Sequence, residues 1–142
     1  MKYLLIAAML AAGAAHAQTT WKLATGYRAE SFHTQNIEEF AREVATATQG
    51  ALKIEVAANN SLVKLSDIPA AVASGKIEAG EAIMSGMGKD VPLAGADGVP
   101  FVVGSYEAVQ RMWTVQRPGI EREFARKGLK PLYAVPWPPQ GL

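Results

Sequence analysis

The sequence predicts an open α/β sheet with right-handed crossovers, preceded by an export signal. Three observations carry this. Strand-period and helix-period stretches alternate from residue 18 onward. Glycines fall where the elements stop, at Gly26, Gly50, Gly75 and Gly128. The first seventeen residues have a layout that nothing later shares.

Met1-Lys2 is a short positive start, and Tyr3 to Ala15 is apolar without a charge. Ala15-His16-Ala17 matches the small-x-small pattern read by signal peptidase, so residues 1–17 read as a cleavable secretory signal peptide. The apolar run is shorter than the roughly 20 residues that span a bilayer. Cleavage would leave residues 18–142, beginning at Gln18, as a periplasmic chain peripheral to the membrane.

Trp21 to Thr25 reads as a strand ended by Gly26. Ser31 is placed to cap a helix, because its hydroxyl can accept from free first-turn amides. That helix carries Ile37, Phe40, Ala41, Val44, Ala45 and Thr48 on one face, and Gly50 stops it. Leu52, Ile54 and Val56 alternate with Lys53 and Glu55, which is strand periodicity. Ser66 or Asp67 can cap a second helix with Pro69 in its first turn, ending at Gly75. Ile77 to Met84 is the next strand expected, buried on both faces. Ser85 to Gly98 holds four glycines and a proline and reads as a loop. Val99 to Gly104 is expected to be a short buried segment. Ser105 caps a third helix with Ala108, Val109, Met112 and Trp113, and Pro118 opens a fourth that ends at Gly128. Leu129, Leu132, Ala134 and Val135 suggest a last strand, which Pro131 weakens.

Composition excludes several function classes. The 142 residues contain 14 Lys+Arg and 13 Asp+Glu, and loss of Lys2 would balance them. Such a surface gives no electrostatic reason to bind nucleic acid or an anionic membrane. The absence of cysteine removes disulfides, thiolate zinc sites and a cysteine nucleophile. No Gly-x-Ser-x-Gly elbow is present, and Gly86-Met87-Gly88 lacks the spacing and the Lys of a phosphate loop. Neither a cofactor nor a metal site is expected.

In open α/β sheets ligands sit beyond the carboxyl ends of the strands. Here those ends are expected at Gly26-Tyr27, Ala57 to Asn60, Met84 to Gly86 and Pro136 to Gln140. His33, the only histidine after residue 17, has no carboxylate or second histidine at ligand spacing and reads as structural or pocket-lining. Tyr27 and Trp137 fall at strand ends where a ligand could touch them, or pack against loop prolines; Trp113 reads as core. Glu81, between Gly80 and Ala82 on an expected strand, must face water at the sheet margin or find a basic partner, since an unpaired buried carboxylate is costly.

These residues resemble a known family. Trp21-Lys22-Leu23-Ala24-Thr25 leads, through a loop with His33, into Ile37-Glu38-Glu39-Phe40-Ala41-Arg42-Glu43-Val44. Thr48-Gln49-Gly50-Ala51-Leu52-Lys53-Ile54-Glu55-Val56, Ala73-Ser74-Gly75-Lys76-Ile77-Glu78-Ala79-Gly80 and Val99-Pro100-Phe101 follow in order. Together they are similar to the DctP-like substrate-binding subunits of TRAP (tripartite ATP-independent periplasmic) transporters. The resemblance implies one lobe of a periplasmic binding protein-like fold, an open three-layer αβα sheet. It also implies capture of a small organic acid and its delivery to a membrane permease driven by an ion gradient.

By position, the ligand contacts implied are Gly26, Tyr27, His33, Met84, Ser85, Trp137 and Gln140. The family's carboxylate-pairing arginine, second lobe and hinge would lie beyond Leu142, since members are more than twice as long; the chain therefore reads as an N-terminal part. Some members carry an acidic or polar residue at the end of the third strand and an arginine near Gln140. Ile83-Met84-Ser85 and Gln140 stand there instead, which suggests a less polar acid. Two alternatives are a receptor of an ATP-driven importer or sensor, which shares the topology, and a small exported enzyme, for which no base–nucleophile pair is visible.

Overall fold

The computed structural model describes residues 18–137. The expected signal peptide and Gln140 lie outside them. Six main elements follow in order: β1 (Thr19–Ala24), α1 (Phe32–Ala47), β2 (Leu52–Ala57), α2 (Ile68–Ala73), β3 (Ala79–Gly80) and α3 (Tyr106–Arg126). Short 3₁₀ turns lie at Leu65–Asp67, Met84–Met87 and Pro92–Gly98.

The strands form one parallel sheet in the order β2-β1-β3. Thr19 pairs with Leu52 and Ala24 with Ala57 on one side, and Leu23 pairs with Ala79 on the other. Successive side chains of a strand point to opposite faces. Leu23 therefore joins Ile37 and Ala41 of α1 and Ile54 of β2 in one buried cluster, while Ala24 joins Ile68, Ala71 and Ile77 in a second. The sheet lies between α1 and α2, the three-layer arrangement the sequence predicts. A third cluster, Val91, Ala94, Ile120 and Phe124, holds α3 against the Pro92–Gly98 turn.

Local sequence explains the element ends. The Ser31 hydroxyl accepts from Thr34 N–H, and the Ser105 hydroxyl from Ala108 N–H. Gln49 and Gly50 both turn left-handed (φ 51° and 80°), and Gly50 N–H returns to Ala45 O. Asp67 occupies the α2 N-cap without a side-chain capping bond; its carboxylate accepts from the Ser66 hydroxyl instead.

Several expectations are corrected. β3 spans two residues, not Ile77 to Met84. Where it does not reach, the Glu78 carboxylate accepts β1's Lys22 N–H at 2.7 Å, which holds Glu78 below the usual carboxylate range. Pro118 does not open a fourth helix but lies inside α3. It is exposed, so water can satisfy the carbonyl that its missing N–H leaves free, and buried Gly119 and Ile120 anchor the backbone beside it. Val99 to Gly104 is not buried: Phe101 is fully exposed, and Val99 and Val102 are about half exposed. Leu129 to Val135 forms no strand, because no strand lies alongside it to exchange backbone hydrogen bonds. Trp113 is half-buried against the third cluster, the side of α3 its spacing predicts.

Candidate functional site

In an open α/β sheet the ligand crevice lies beyond the carboxyl ends of the strands. β1 hands the chain through α1 to β2 on one side, and β3 lies on β1's other side. The crevice between the ends of β1 and β3 is therefore the topological switch point of the sheet. Thr25 follows β1, and Glu81 follows β3, its N–H donating to Ala24 O at 2.9 Å.

Across this crevice the fully buried Thr25 hydroxyl donates to Glu81 Oε2 at 2.5 Å and accepts from Tyr27 N–H at 3.2 Å. The other carboxylate oxygen, Oε1, lies 3.5 Å from His33 Nδ1. His33 is the second residue of α1 and is buried, so the helix start fixed by Ser31 also fixes this ring. His33 stacks on Tyr27 with centroids 4.4 Å apart and packs at 4.6 Å on Trp137. Phe32 lies against it as well. Tyr27 and Trp137 meet edge-on at 5.9 Å.

The loop carrying Tyr27 is tied down from the β2 side. Asn59 N–H donates to Tyr27 O at 2.7 Å and Asn60 N–H to Thr25 O at 3.2 Å. Both asparagines have positive φ, near 58°, a conformation that asparagine tolerates better than most residues. Asn60 Nδ2 donates to Gly26 O, and its Oδ1 accepts from Leu65 N–H. Gly26 is required here, since a Cβ would stand 2.6 Å from Leu65 Cβ.

Burial pushes the Glu81 carboxyl above its ordinary range, against the opposing pull of the Thr25 hydrogen bond and of His33. Burial, then Glu81, push the Tyr27 phenol up, so it stays a neutral donor. Its hydroxyl oxygen is the only buried side-chain polar atom without a hydrogen-bond partner among the described residues. Thr25 spends its proton on Glu81 and is sealed from solvent, so the arrangement presents no hydroxyl nucleophile. What it does present is an aromatic surface backed by a fixed carboxylate, suited to holding a small flat molecule.

Of the residues singled out from sequence, the structure brings Tyr27, His33 and Trp137 together, with Gly26 behind them. Met84 lies apart, packed against the third cluster, and Ser85 is exposed on the same turn. Gln140 lies outside the described residues. Two expectations change here. His33 does have a carboxylate neighbour, and it is the basic partner left unnamed for Glu81. The third strand's end is acidic, because β3 stops at Gly80 and the next residue is Glu81 rather than Ile83-Met84-Ser85. Thr25 and Phe32 gave no signal as site residues. The only clue was Glu81, a carboxylate where burial demanded a partner.

Among the described residues, no group of three or more His, Asp or Glu could hold a metal ion, and no helix is long and apolar enough to cross a membrane.

A parallel sheet of order 2-1-3 with polar residues across the β1–β3 crevice defines an open α/β lobe. The chain belongs to the bacterial extracellular solute-binding protein family 7 (DctP), whose sequence profile matches residues 23–137. It is similar to DctP6 of Bordetella pertussis, an extracytoplasmic solute receptor binding pyroglutamic acid. The two are 34% identical with a TM-score of 0.82, over 85% of this chain and 40% of that one. A TRAP solute-binding protein from a marine metagenome, specific for pyroglutamate, matches at 33% identity and TM-score 0.82, with the same coverage of 85% and 40%. A TRAP periplasmic solute-binding protein from Sulfitobacter, solved with β-D-galacturonate, is 20% identical (TM-score 0.69, covering 77% and 37%) and shares the fold. The chain thus spans about 40% of the length of these relatives. No curated protein matches it by sequence.

Proposed function

We propose that residues 18–142 build part of the first ligand lobe of a TRAP-type solute receptor. It captures a small cyclic carboxylic acid and delivers it to an ion-gradient-driven permease. Residues 1–17 are its cleavable signal peptide, and it works in the periplasm. The contact surface is Tyr27, His33 and Trp137, held in place by Glu81 and Thr25. The observation that carries this reading is the position of that cluster at the β1–β3 switch point, on a chain a third identical to two pyroglutamate receptors. Pyroglutamate is the first acid to test, ahead of galacturonate and glucuronate, whose receptors are more distant.

Titration followed by NMR shifts should give saturable changes at Tyr27, His33 and Trp137 with pyroglutamate. Shifts confined to other surfaces, or none with any of the three acids, would sink the reading. N-terminal sequencing of the protein from bacterial periplasm should begin at Gln18.

A further inference from the structure

In the His33–Glu81 contact it is Nδ1, not Nε2, that faces the carboxylate. In a neutral imidazole one nitrogen carries the proton and the other a lone pair, and the hydrogen bond made by one decides the role of the other. When ionised, the Glu81 carboxylate has no proton to give: Oε2 accepts from Thr25 and Oε1 can only accept, so it favours a proton on Nδ1. Nε2 is then the acceptor. Tyr27, stacked on the same ring, holds the opposite polarity: a neutral phenol with a proton and no acceptor. The two stacked rings therefore hold an acceptor and a buried donor side by side, and only the acceptor belongs to the contact surface proposed above. A cyclic amide carries the N–H that such an acceptor takes. A lactone of the same shape offers the carbonyl and no N–H.

We propose that Glu81 is a positioning residue that selects the Nδ1–H tautomer of the His33 imidazole, leaving Nε2 to accept the ring N–H of the bound acid, so that this lobe selects a lactam acid over its oxygen isostere. This rests on the acid-binding reading above for its ligand half only; the tautomer is a property of the free protein.

The test has two arms on the full chain. Long-range ¹H–¹⁵N spectra in the absence of ligand, at a pH where imidazole is neutral, report which nitrogen of His33 is protonated. Nδ1–H is expected, and Nε2–H overturns the proposal whether or not any acid binds. In Glu81→Gln the side-chain amide can donate to Nδ1, so the tautomer should invert; an unchanged tautomer in a folded variant also overturns it. The second arm compares pyroglutamate with 5-oxotetrahydrofuran-2-carboxylate, its ring-oxygen isostere. Wild type should bind the lactam about five- to tenfold tighter, the discrimination of one hydrogen bond, and His33→Phe, which keeps the stack but removes the nitrogen, should bring the ratio near one. Equal binding by wild type overturns the selectivity and leaves the acid-binding reading intact. If neither acid binds, the acid-binding reading and the ligand half of the proposal fall together.

Discussion

The Thr25 hydroxyl donates to the Glu81 carboxylate at 2.5 Å across the ends of two neighbouring parallel strands, 56 residues apart in sequence. Thr25 also receives Tyr27 N–H, so one buried hydroxyl links the carboxylate under His33 to the backbone of the loop above it. Thr25→Val keeps the shape and removes both functions. It should destabilise the fold by about 2–3 kcal/mol, the range for a hydrogen bond to a charged group whose partner is then left unsatisfied. Thr25→Ser should recover most of the loss. Urea unfolding of the three proteins checks this; a cost below about 0.5 kcal/mol for the valine variant would show that the link carries little.

Glu81 gives the fold a pH dependence of unusual sign. Burial raises its carboxyl in the folded state above its value in the unfolded chain. Between those two values the folded protein holds a proton that the unfolded chain has released. Stability attributable to Glu81 is therefore highest on the acid side and falls as pH rises through that window, levelling above the folded value. Exposed carboxylates held low, such as Glu78 and Glu107, act in the opposite direction, so the comparison to make is wild type against Glu81→Gln. The stability of the variant relative to wild type should increase as pH rises through the window. A difference that is flat with pH, or of reverse slope, refutes the assignment.

Gly80 is where the sheet meets α2. A Cβ there would stand 2.2 Å from Ile68 Cγ2, and Ile68 is wholly buried. Gly80→Ala should therefore cost about 1–3 kcal/mol through overpacking. Gly86→Ala, with open space around it, should change stability by less than about 0.5 kcal/mol. Thermal unfolding of the pair distinguishes a packing constraint from a general preference for glycine.

Pro118 interrupts the hydrogen bonding of α3 at an exposed position inside the helix. Pro118→Ala restores an N–H and should stabilise the chain by about 1–2 kcal/mol, somewhat less than the full interior proline penalty because water already serves the freed carbonyl. Calorimetry would show this as a raised Tm. A lowered Tm would mean that the ring itself is packed usefully.

The sequence alone determined several element ends. Ser31 and Ser105 declare helix starts, Gly50, Gly75 and Gly128 declare stops, and the alternation of Leu52 to Val56 declares a strand. These are legible because each depends on groups within a few residues: a hydroxyl near a free N–H, a glycine at positive φ, a side chain on one face of a pleat. The ordered blocks from Trp21 to Phe101 likewise pointed to the family, and topology pointed to Tyr27 and Trp137 near strand ends. Where a strand stops depends instead on how far its neighbour reaches. β3 shrank to Ala79–Gly80, Leu129 to Val135 failed to pair, and the acidic residue closing the third strand became Glu81. Only the tertiary structure could join Thr25, His33 and Glu81, because their contacts run between the ends of β1 and β3 and the start of α1. A buried carboxylate announces in sequence that it needs partners. Which partners it receives is decided by the register of parallel strands and the seat of a helix upon them.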